Sequence, residues 1–206
     1  MLDNKGFDLW ADGYDRSVAI SDESDTYPFA GYRNVLAYVY DGVRRCRGRR
    51  VLDVGVGTGV LAGRLFMDGY EITAVDFSES MIRIAQEKIP GSKIYRHDIS
   101  KGLPAELAGK TFDAITCTYA IHHLDDDQQV SLIREMKKRL APGGRIFIGD
   151  VSFENRQDML DCMAAAGDDW DDDEHYFIAG EMTECFPEAQ YKKISRCAGV
   201  LTVGGE

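Results

Sequence analysis

The sequence predicts an α/β protein built around a parallel β-sheet, with helices in the crossovers between its strands. Two observations lead to this fold class. From residue 50 onward, short apolar segments alternate with segments of helical periodicity, which is the pattern of consecutive βαβ units. The first apolar segment also breaks into a glycine-rich turn that leads directly into a helical pattern. At 206 residues the chain is most simply one domain, 1–206, large enough to fold without disulfides or a metal.

The strands and helices of the core follow from the spacing of apolar residues. Five apolar segments are predicted to be strands, at 50–54, 70–76, 93–97, 112–118 and 144–150. Helical patterns lie between them, at 59–68, 78–89 and 127–140. Because the crossover between parallel strands is right-handed, each helix is expected to pack back onto the sheet.

Local signals mark the ends of two of these helices. Ser78 is a suitable N-cap for the second helix, since its hydroxyl can accept from an unpaired backbone N–H group. In the third helix, apolar residues recur at three- and four-residue spacing from Leu132 to Leu140, which predicts one buried stripe. Pro142-Gly143-Gly144 is expected to end that helix.

Two flanking regions complete the predicted domain. Residues 1–48 have the character of an aromatic-rich helical cap, which precedes the α/β core at 49–151. Residues 152–206 begin with helical patterns that an acidic run at 168–174 interrupts, and they end with two strands between Gln190 and Gly204. The domain is therefore divided into a cap, a core and a C-terminal segment.

Composition and charge count against several classes of partner. The formal net charge of −11 repels nucleic-acid phosphates and anionic membranes. The five cysteines form no C-x-x-C pair, which favours reduced thiols over a disulfide framework or a zinc site. The N-terminus has no apolar signal segment, and no apolar run reaches the ~20 residues of a membrane span. The chain is expected to be soluble and cytoplasmic.

Residues 50–65 carry the strongest functional signal. An apolar strand with one acid, Asp53, leads into glycines at alternate positions, Gly55, Gly57 and Gly59. A tight turn without side chains lets a ligand lie against bare backbone, and the start of the following helix offers unpaired N–H groups. This arrangement predicts a binding site for a nucleotide-type cofactor.

The glycine spacing and the acid narrow the choice of cofactor. The dinucleotide fingerprint G-x-G-x-x-G would need glycine or alanine where Val60 stands. The Asp53 carboxylate would repel a pyrophosphate, whereas it suits a ligand that carries an ammonium or sulfonium group. S-adenosylmethionine has both of these charges and no phosphate.

A second acid, Asp76, closes the next apolar strand. The end of the second strand of a doubly wound sheet lies beside the first glycine turn, where a carboxylate can accept hydrogen bonds from both ribose hydroxyls. The alternative is an acid that stabilises the helix beginning at Ser78. Ribose binding is favoured, and the flat face of Phe77 would then lie near the adenine.

The D-x-G-x-G-x-G arrangement at 53–59 resembles the first motif of class I S-adenosylmethionine-dependent methyltransferases, of a small bacterial type whose substrate is unsettled. Further motifs of that family follow in order over 50–150. The resemblance implies a Rossmann-like, three-layer α/β/α fold with a doubly wound sheet of seven strands, mostly parallel with an antiparallel last strand. It also implies S-adenosylmethionine as cofactor and S-adenosylhomocysteine as product.

The same resemblance assigns roles to individual residues. Asp98 would accept from the adenine amino group, and the backbone of Ile99 would contact the ring. Tyr119, after the fourth strand, would lie beside the methionine part of the cofactor. The segment 7–15 is similar to the F-x-x-W-A-x-x-Y-D opening of many small bacterial members, in which the tyrosine contacts the cofactor, so Tyr14 receives that role.

Tandem histidines, His122 and His123, follow Tyr119 and have two interpretations. One of them is a packing residue at the start of a helix, or one, His123 first, is a general base that removes a proton from the methyl acceptor. No metal is predicted, because adjacent residues on a loop cannot easily both face one ion.

These observations predict an enzyme that methylates a small molecule, acts as a monomer or homodimer, and binds neither nucleic acid nor membrane. An RNA or protein methyltransferase is one alternative. A basic cluster just before the first strand, from Arg44 to Arg50, could contact RNA, although a solvated helix end and loop is favoured. A non-catalytic module that binds S-adenosylmethionine is the other alternative, and only turnover distinguishes it.

Overall fold

The computed structural model describes residues 27–204, so the predicted contact of Tyr14 lies outside the described residues. The strands are β1 Arg50–Val54, β2 Glu71–Asp76, β3 Lys93–Arg96, β4 Phe112–Thr118, β5 Leu140–Phe153, β6 Phe177–Ile178, β7 Gln190–Lys193 and β8 Ala198–Gly204. The helices are α1 Tyr32–Arg44, α2 Val60–Met67, α3 Glu79–Lys88, α4 Asp126–Lys137, α5 Arg156–Ala166 and α6 Ala179–Cys185. Short 3₁₀ turns occupy Ile99–Lys101, Ala105–Leu107, Ile121–His123 and Gly167–Asp169.

The sheet confirms the predicted doubly wound topology. Its strand order is β3-β2-β1-β4-β5-β8-β7, and the pairs β1–β2, β2–β3, β1–β4 and β4–β5 are all parallel. The last strand, β8, runs antiparallel to both β5 and β7. An eighth strand, β6, pairs with the end of β5 away from this path, which makes the sheet one strand larger than predicted.

Helices cover both faces of the sheet, as predicted. Side chains on successive residues of β5 point to opposite faces. Phe147 therefore joins the apolar cluster that contains residues of α1, α2 and α3. Its neighbours Ile146 and Ile148 join the cluster that contains residues of α4 and α6. These two clusters are the apolar layers of a three-layer α/β/α molecule.

The boundary between α4 and β5 differs from the prediction. The helix ends at Lys137 rather than at residue 140, and Leu140 already pairs with Phe112 of β4. Pro142-Gly143-Gly144 does not end the helix but lies within β5, where the β4–β5 pairing shifts register. Apolar spacing could not locate this boundary, because Leu140 satisfies the helical stripe and the strand equally well. The predicted cap of α3 is confirmed, since the Ser78 hydroxyl accepts from the Met81 N–H at 3.2 Å.

The topology determines where a ligand can bind. The carboxyl ends of β1, β2, β3 and β4 meet at one edge of the sheet. The strand order reverses between β1 and β4, which opens a crevice at that edge. Among the described residues, none of the helices has the length and apolar character needed to cross a bilayer.

Candidate cofactor and acceptor site

The turn between β1 and α2 contains the three glycines, and all three have left-handed backbone. Their φ angles are 76° at Gly55, 52° at Gly57 and 74° at Gly59. A Cβ on Gly55 would lie 2.4 Å from the Cβ of Ala120, and one on Gly59 would lie 3.1 Å from the Cβ of Ala85. A Cβ on Gly57 would meet no atom of residues 27–204 within 4 Å. The outer glycines therefore let neighbouring segments approach, whereas Gly57 presents open backbone on which a ligand can lie.

Asp76, at the end of β2, is bonded directly to this turn. Its Oδ2 accepts from the Gly57 N–H at 2.8 Å and its Oδ1 accepts from the Ser78 N–H at 2.9 Å. The N-cap of α3 is Ser78, so Asp76 does not take that position itself. A carboxylate has about four lone-pair sites, so it can accept several hydrogen bonds at once. The structure places Asp76 beside the first glycine turn, and its contact with a ribose stays a prediction.

Asp53 in β1 is an enclosed carboxyl close to Asp76. Its side chain is 2% exposed, and its Oδ1 accepts from the Thr116 hydroxyl of β4 at 2.8 Å. Burial, together with the negative charge of Asp76, raises the pKa of Asp53 to about 7 in spite of the Thr116 hydrogen bond. A cation placed beside Asp53 would favour its ionised form. Sequence reasoning did not identify Thr116, a buried polar side chain in a mostly apolar strand.

The acid after β3, Asp98, is more open. Its Oδ1 accepts from the backbone N–H of Ser100 at 3.0 Å and from the Ser100 hydroxyl at 2.7 Å. The Lys101 ammonium lies 3.2 Å from its Oδ2. Partial burial opposes ionisation of Asp98, but these contacts with Ser100 and Lys101 outweigh it and lower the pKa. Asp98 is therefore an ionised hydrogen-bond acceptor near neutral pH.

Two further residues predicted near the adenine lie at the same edge of the sheet. The backbone N–H of His97 donates to the Asp76 carbonyl at 2.8 Å, which holds the end of β3 against the end of β2. Phe77 follows β2 and Ile99 begins the turn after β3, and both side chains are partly buried. Phe77 and Ile99 therefore lie at the β2–β3 side of the crevice, and the residues that follow β4 lie at its other side.

Tyr119, directly after β4, has a left-handed backbone with φ 50°. Every other described residue with a positive φ is a glycine. Such a conformation costs roughly 1–2 kcal/mol for a residue with a Cβ. The Tyr119 N–H donates to the Gly149 carbonyl at 2.9 Å, and its ring packs against Tyr32 and Phe29 at centroid distances of 5.0 and 5.5 Å. These contacts hold the strained turn beside the crevice, which is typical of functional positions.

Asp150 in β5 fixes the segment that follows β4. It is fully buried, and its Oδ2 accepts from the backbone N–H groups of Ala120 and Ile121, each at 3.2 Å. Its Oδ1 lies 2.5 Å from the His122 Nδ1. Sequence reasoning missed this residue. The available signal was a carboxylate in an apolar strand, as at Asp53.

Glu174, in the segment before β6, meets both histidines. Its Oε1 lies 3.5 Å from the His122 Nε2 and 3.7 Å from the His123 Nδ1. The Tyr176 hydroxyl donates to the Glu174 Oε2 at 2.7 Å. The sequence presented Glu174 only as the last member of an acidic run, and nothing local distinguished it from its neighbours.

The two histidines differ in their protonation. Burial alone would lower the pKa of His122, but the carboxylates of Asp150 and Glu174 raise it above its ordinary value. Burial and the neighbouring His122 lower the pKa of His123 to about 2, so its imidazole is neutral near pH 7. Such a group accepts hydrogen bonds but holds a proton weakly, which disfavours His123 as a general base.

The basic cluster before β1 lies at the opposite, amino end of the strands. Arg50 bonds to Asp113 through its backbone N–H at 2.9 Å and its guanidinium at 3.2 and 3.3 Å. The Arg49 guanidinium lies 5.2 Å from the centre of the Tyr70 ring. Arg45 and Arg47 line a groove of about 420 Å³. Much of the cluster is thus used in local contacts far along the strands from the glycine turn.

Several proteins with similar sequences are described as methyltransferases. Residues 51–144 match a family model described as a methyltransferase domain. An uncharacterized methyltransferase of Alkaliphilus oremlandii is 33% identical over 155 residues, which cover 75% of this chain and 69% of that protein. Another, from Geobacillus sp. strain WCH70, is 36% identical over 151 residues, or 73% of this chain and 68% of the relative.

A solved structure shares the whole fold. The magnesium protoporphyrin IX methyltransferase of Synechocystis PCC 6803, determined with bound S-adenosylmethionine, superposes with a TM-score of 0.65. The match covers 100% of this chain and 99% of that chain at 15% identity. At this identity the likeness shows a common fold, and it leaves the acceptor of each protein a separate question.

Proposed function

This chain belongs to the class I S-adenosylmethionine-dependent methyltransferases, and we propose that it methylates a small-molecule acceptor. The observation that supports cofactor binding best is the hydrogen bond between the Asp76 carboxylate and the Gly57 N–H. It holds the proposed ribose-binding acid next to the proposed cofactor-binding glycine turn. The net charge of −11 disfavours a nucleic-acid acceptor.

The residues at this edge fit S-adenosylmethionine. Open backbone at Gly57 leaves room for the ligand, and the enclosed carboxyl of Asp53 suits its positive charge. Asp76 is proposed to accept from the ribose hydroxyls. Phe77, Asp98 and Ile99 are proposed to surround the adenine, because they follow β2 and β3 at this edge of the sheet. When bound, the sulfonium supplies an electrophilic methyl group.

The protein's contribution to methyl transfer is then mainly alignment. Holding two reactants in the attacking geometry removes most of the entropic barrier of a bimolecular step. Tyr119 is proposed to lie against the methionine part of the cofactor, and Tyr14 is proposed to contact the cofactor. His123 is proposed to contact the acceptor, where its neutral imidazole accepts a hydrogen bond.

Calorimetric titration with S-adenosylhomocysteine, with NAD as the control, tests the cofactor assignment. Saturable binding of S-adenosylhomocysteine alone is the expected result, and turnover of small acceptors would then be measured with S-adenosylmethionine. Binding of NAD, or of neither compound, would contradict the proposal. Binding without turnover of any small acceptor would favour the non-catalytic alternative, and salt-sensitive RNA binding would favour a macromolecular acceptor.

A further inference from the structure

We propose that His122, His123 and Glu174 bind a divalent transition-metal ion of the Zn²⁺ type. The ligating atoms are the Nε2 of His122, the Nδ1 of His123 and the Oε1 of Glu174. All three residues offer a ligand atom within 4.8 Å of the other two, and no other group of this kind occurs in residues 27–204. Two imidazoles and one carboxylate form a common ligand set of catalytic zinc sites.

The two distances from the Glu174 oxygen to the imidazole nitrogens are close to those of a tetrahedral centre. Zinc–nitrogen and zinc–oxygen bonds of about 2.0–2.2 Å place tetrahedral ligands roughly 3.3–3.5 Å apart. The Glu174 Oε1 lies 3.5 Å from one imidazole nitrogen and 3.7 Å from the other. The ligand atoms of all three residues lie within 4.8 Å of one another, so a bound ion would draw them closer together.

Contacts around the cluster orient these lone pairs. Asp150 Oδ1 lies 2.5 Å from the His122 Nδ1, so this nitrogen carries the proton of the neutral ring and the Nε2 lone pair is directed to Glu174. The Tyr176 hydroxyl donates to Oε2 of Glu174, which leaves Oε1 for the histidines. Metal-binding histidines and carboxylates are supported by outer hydrogen bonds of this kind.

The segment that carries Glu174 is anchored to the segment that carries the histidines. The backbone N–H of His175 donates to the His122 carbonyl at 2.8 Å. The buried amide of Gln129 donates to the carbonyls of His175 and Leu124 at 2.7 and 2.9 Å. These bonds fix three ligands from two distant segments before any ion binds.

From the sequence, no metal was predicted because adjacent histidines on a loop were expected to point apart. The local backbone of this segment removes that objection. Adjacent residues on an extended loop point apart, but Ile121–His123 form a 3₁₀ turn. The two imidazole rings lie edge to face with centroids 4.1 Å apart, and both reach Glu174. The turn, which the sequence pattern did not reveal, allows tandem histidines to share one partner.

Three protein ligands leave one coordination position open. On the proposed function, this position suits an acceptor with an ionisable O–H or S–H group, because a bound metal ion lowers the pKa of such a group. The cluster follows Ala120, which touches the glycine turn at Gly55, so an acceptor held here would lie near the cofactor crevice.

Zinc binding by the 206-residue chain tests the site directly. After treatment with EDTA, calorimetric titration with ZnCl₂ should show about one ion per chain, and Co²⁺ should give the visible absorption of a four-coordinate site. His123→Ala and Glu174→Gln should weaken zinc binding by at least ~100-fold. Tyr176→Phe should weaken it by about 10- to 100-fold, as expected for an outer hydrogen bond.

Three matched variants should leave zinc binding unchanged. His175→Ala removes an exposed histidine next to Glu174, and Asp172→Asn removes an exposed acid from the same run. Cys185→Ser removes an exposed thiol that could bind zinc elsewhere. Circular dichroism would verify that every variant is folded.

Absence of stoichiometric binding would overturn the proposal, as would equal affinity in the wild type, His123→Ala and Glu174→Gln. Loss of binding in Cys185→Ser would also overturn it. S-adenosylhomocysteine binding is measured separately on the EDTA-treated protein. If that ligand binds and zinc does not, only the metal site is refuted; if zinc binds and the ligand does not, the cofactor assignment is refuted instead.

Discussion

At the scale of single residues, two neighbouring carboxyls have contrasting surroundings. Asp53 is enclosed and accepts from one hydroxyl, and its pKa is raised to about 7. Asp76 accepts from two backbone N–H groups of the adjoining turn and helix start. Ionised Asp53 therefore costs folding free energy, whereas Asp76 is part of the hydrogen bonding that shapes the turn. We expect different results when each is replaced.

Asp53→Asn should flatten the pH dependence of stability. The folded pKa of about 7 lies above the ordinary aspartate pKa, so the folded state holds a proton that the unfolded chain has released. The free energy of unfolding therefore falls as pH rises from about 4 to 7 because of this group, and the fall is complete above pH 7. Urea denaturation of both proteins at pH 5 and pH 8 measures the difference.

Asp113→Asn is the matched control for that comparison. Although partial burial opposes its ionisation, the Arg50 hydrogen bonds lower the pKa of Asp113, so it titrates below the measured window. This variant should keep the wild-type difference between pH 5 and pH 8. An equally steep loss of stability in Asp53→Asn would show that Asp53 ionises normally in the folded protein.

Asp76→Ala should weaken S-adenosylhomocysteine binding by about 1.5–3 kcal/mol, because a charged hydrogen-bond acceptor is lost from the proposed ribose site. This corresponds to roughly 10- to 150-fold in Kd, measured by calorimetry. Glu79→Ala is the control, since this acid lies in the first turn of α3 and pairs with Arg96 at the surface. An unchanged Kd in folded Asp76→Ala would refute the ribose assignment.

At the scale of structural elements, the glycines of the β1–α2 turn have different roles, two in packing and one in the proposed ligand binding. All three glycines have left-handed backbone, but a Cβ on Gly55 or Gly59 would meet close neighbours, whereas one on Gly57 would meet none among the described residues. The outer two glycines are thus required by packing, because a side chain at Gly55 would clash with Ala120 and one at Gly59 would crowd Ala85. Packing among the described residues does not explain why position 57 is a glycine. The close approach of a ligand would explain it.

Gly57→Ala and Gly55→Ala should therefore have different effects. Gly57→Ala should cost only the backbone strain, about 1–2 kcal/mol, while S-adenosylhomocysteine binding falls at least ~10-fold. Gly55→Ala should destabilise the protein more, because its new methyl would lie 2.4 Å from Ala120. Thermal unfolding and calorimetry measure both effects. Unchanged binding in Gly57→Ala would refute a ligand at this backbone.

The small strand β6 has a larger consequence than its length suggests. It pairs Phe177 with Ser152 at the end of β5, directly after the segment that contains Glu174. This pairing, with the His175–His122 backbone bond, returns the acidic segment to the loop after β4. The element that sequence analysis missed is therefore one that assembles the histidine cluster.

At the scale of the whole molecule, the sheet order brings the ends of four strands to one crevice. Asp53, Asp76, Asp98 and Tyr119 come from consecutive βα units, and parallel pairing places the ends of these strands at the same edge. Negative groups gather at this edge, while much of the arginine cluster is engaged at the amino end with Asp113 and Tyr70. This distribution favours a cationic cofactor over a polyanionic acceptor.

Much of this arrangement was predictable from sequence because its signals are local. Apolar periodicity predicted β1 to β4 within about a residue, and the alternate glycines predicted a turn that the observed φ angles confirm. The end of α4 was predicted wrongly, since Leu140 fits both patterns and only its pairing with Phe112 decides between them. The two-residue β6 is too short for any periodicity to show.

The sequence by itself determined the order of strands and helices, the glycine turn, the acids that end β2 and β3, and the family. Each of these depends on residues within a few positions of one another. Only the tertiary structure decided that Asp150, His122, His123 and Glu174 form one cluster. These contacts join β5, the turn after β4 and the segment before β6, and long-range strand pairing and backbone hydrogen bonds bring them together.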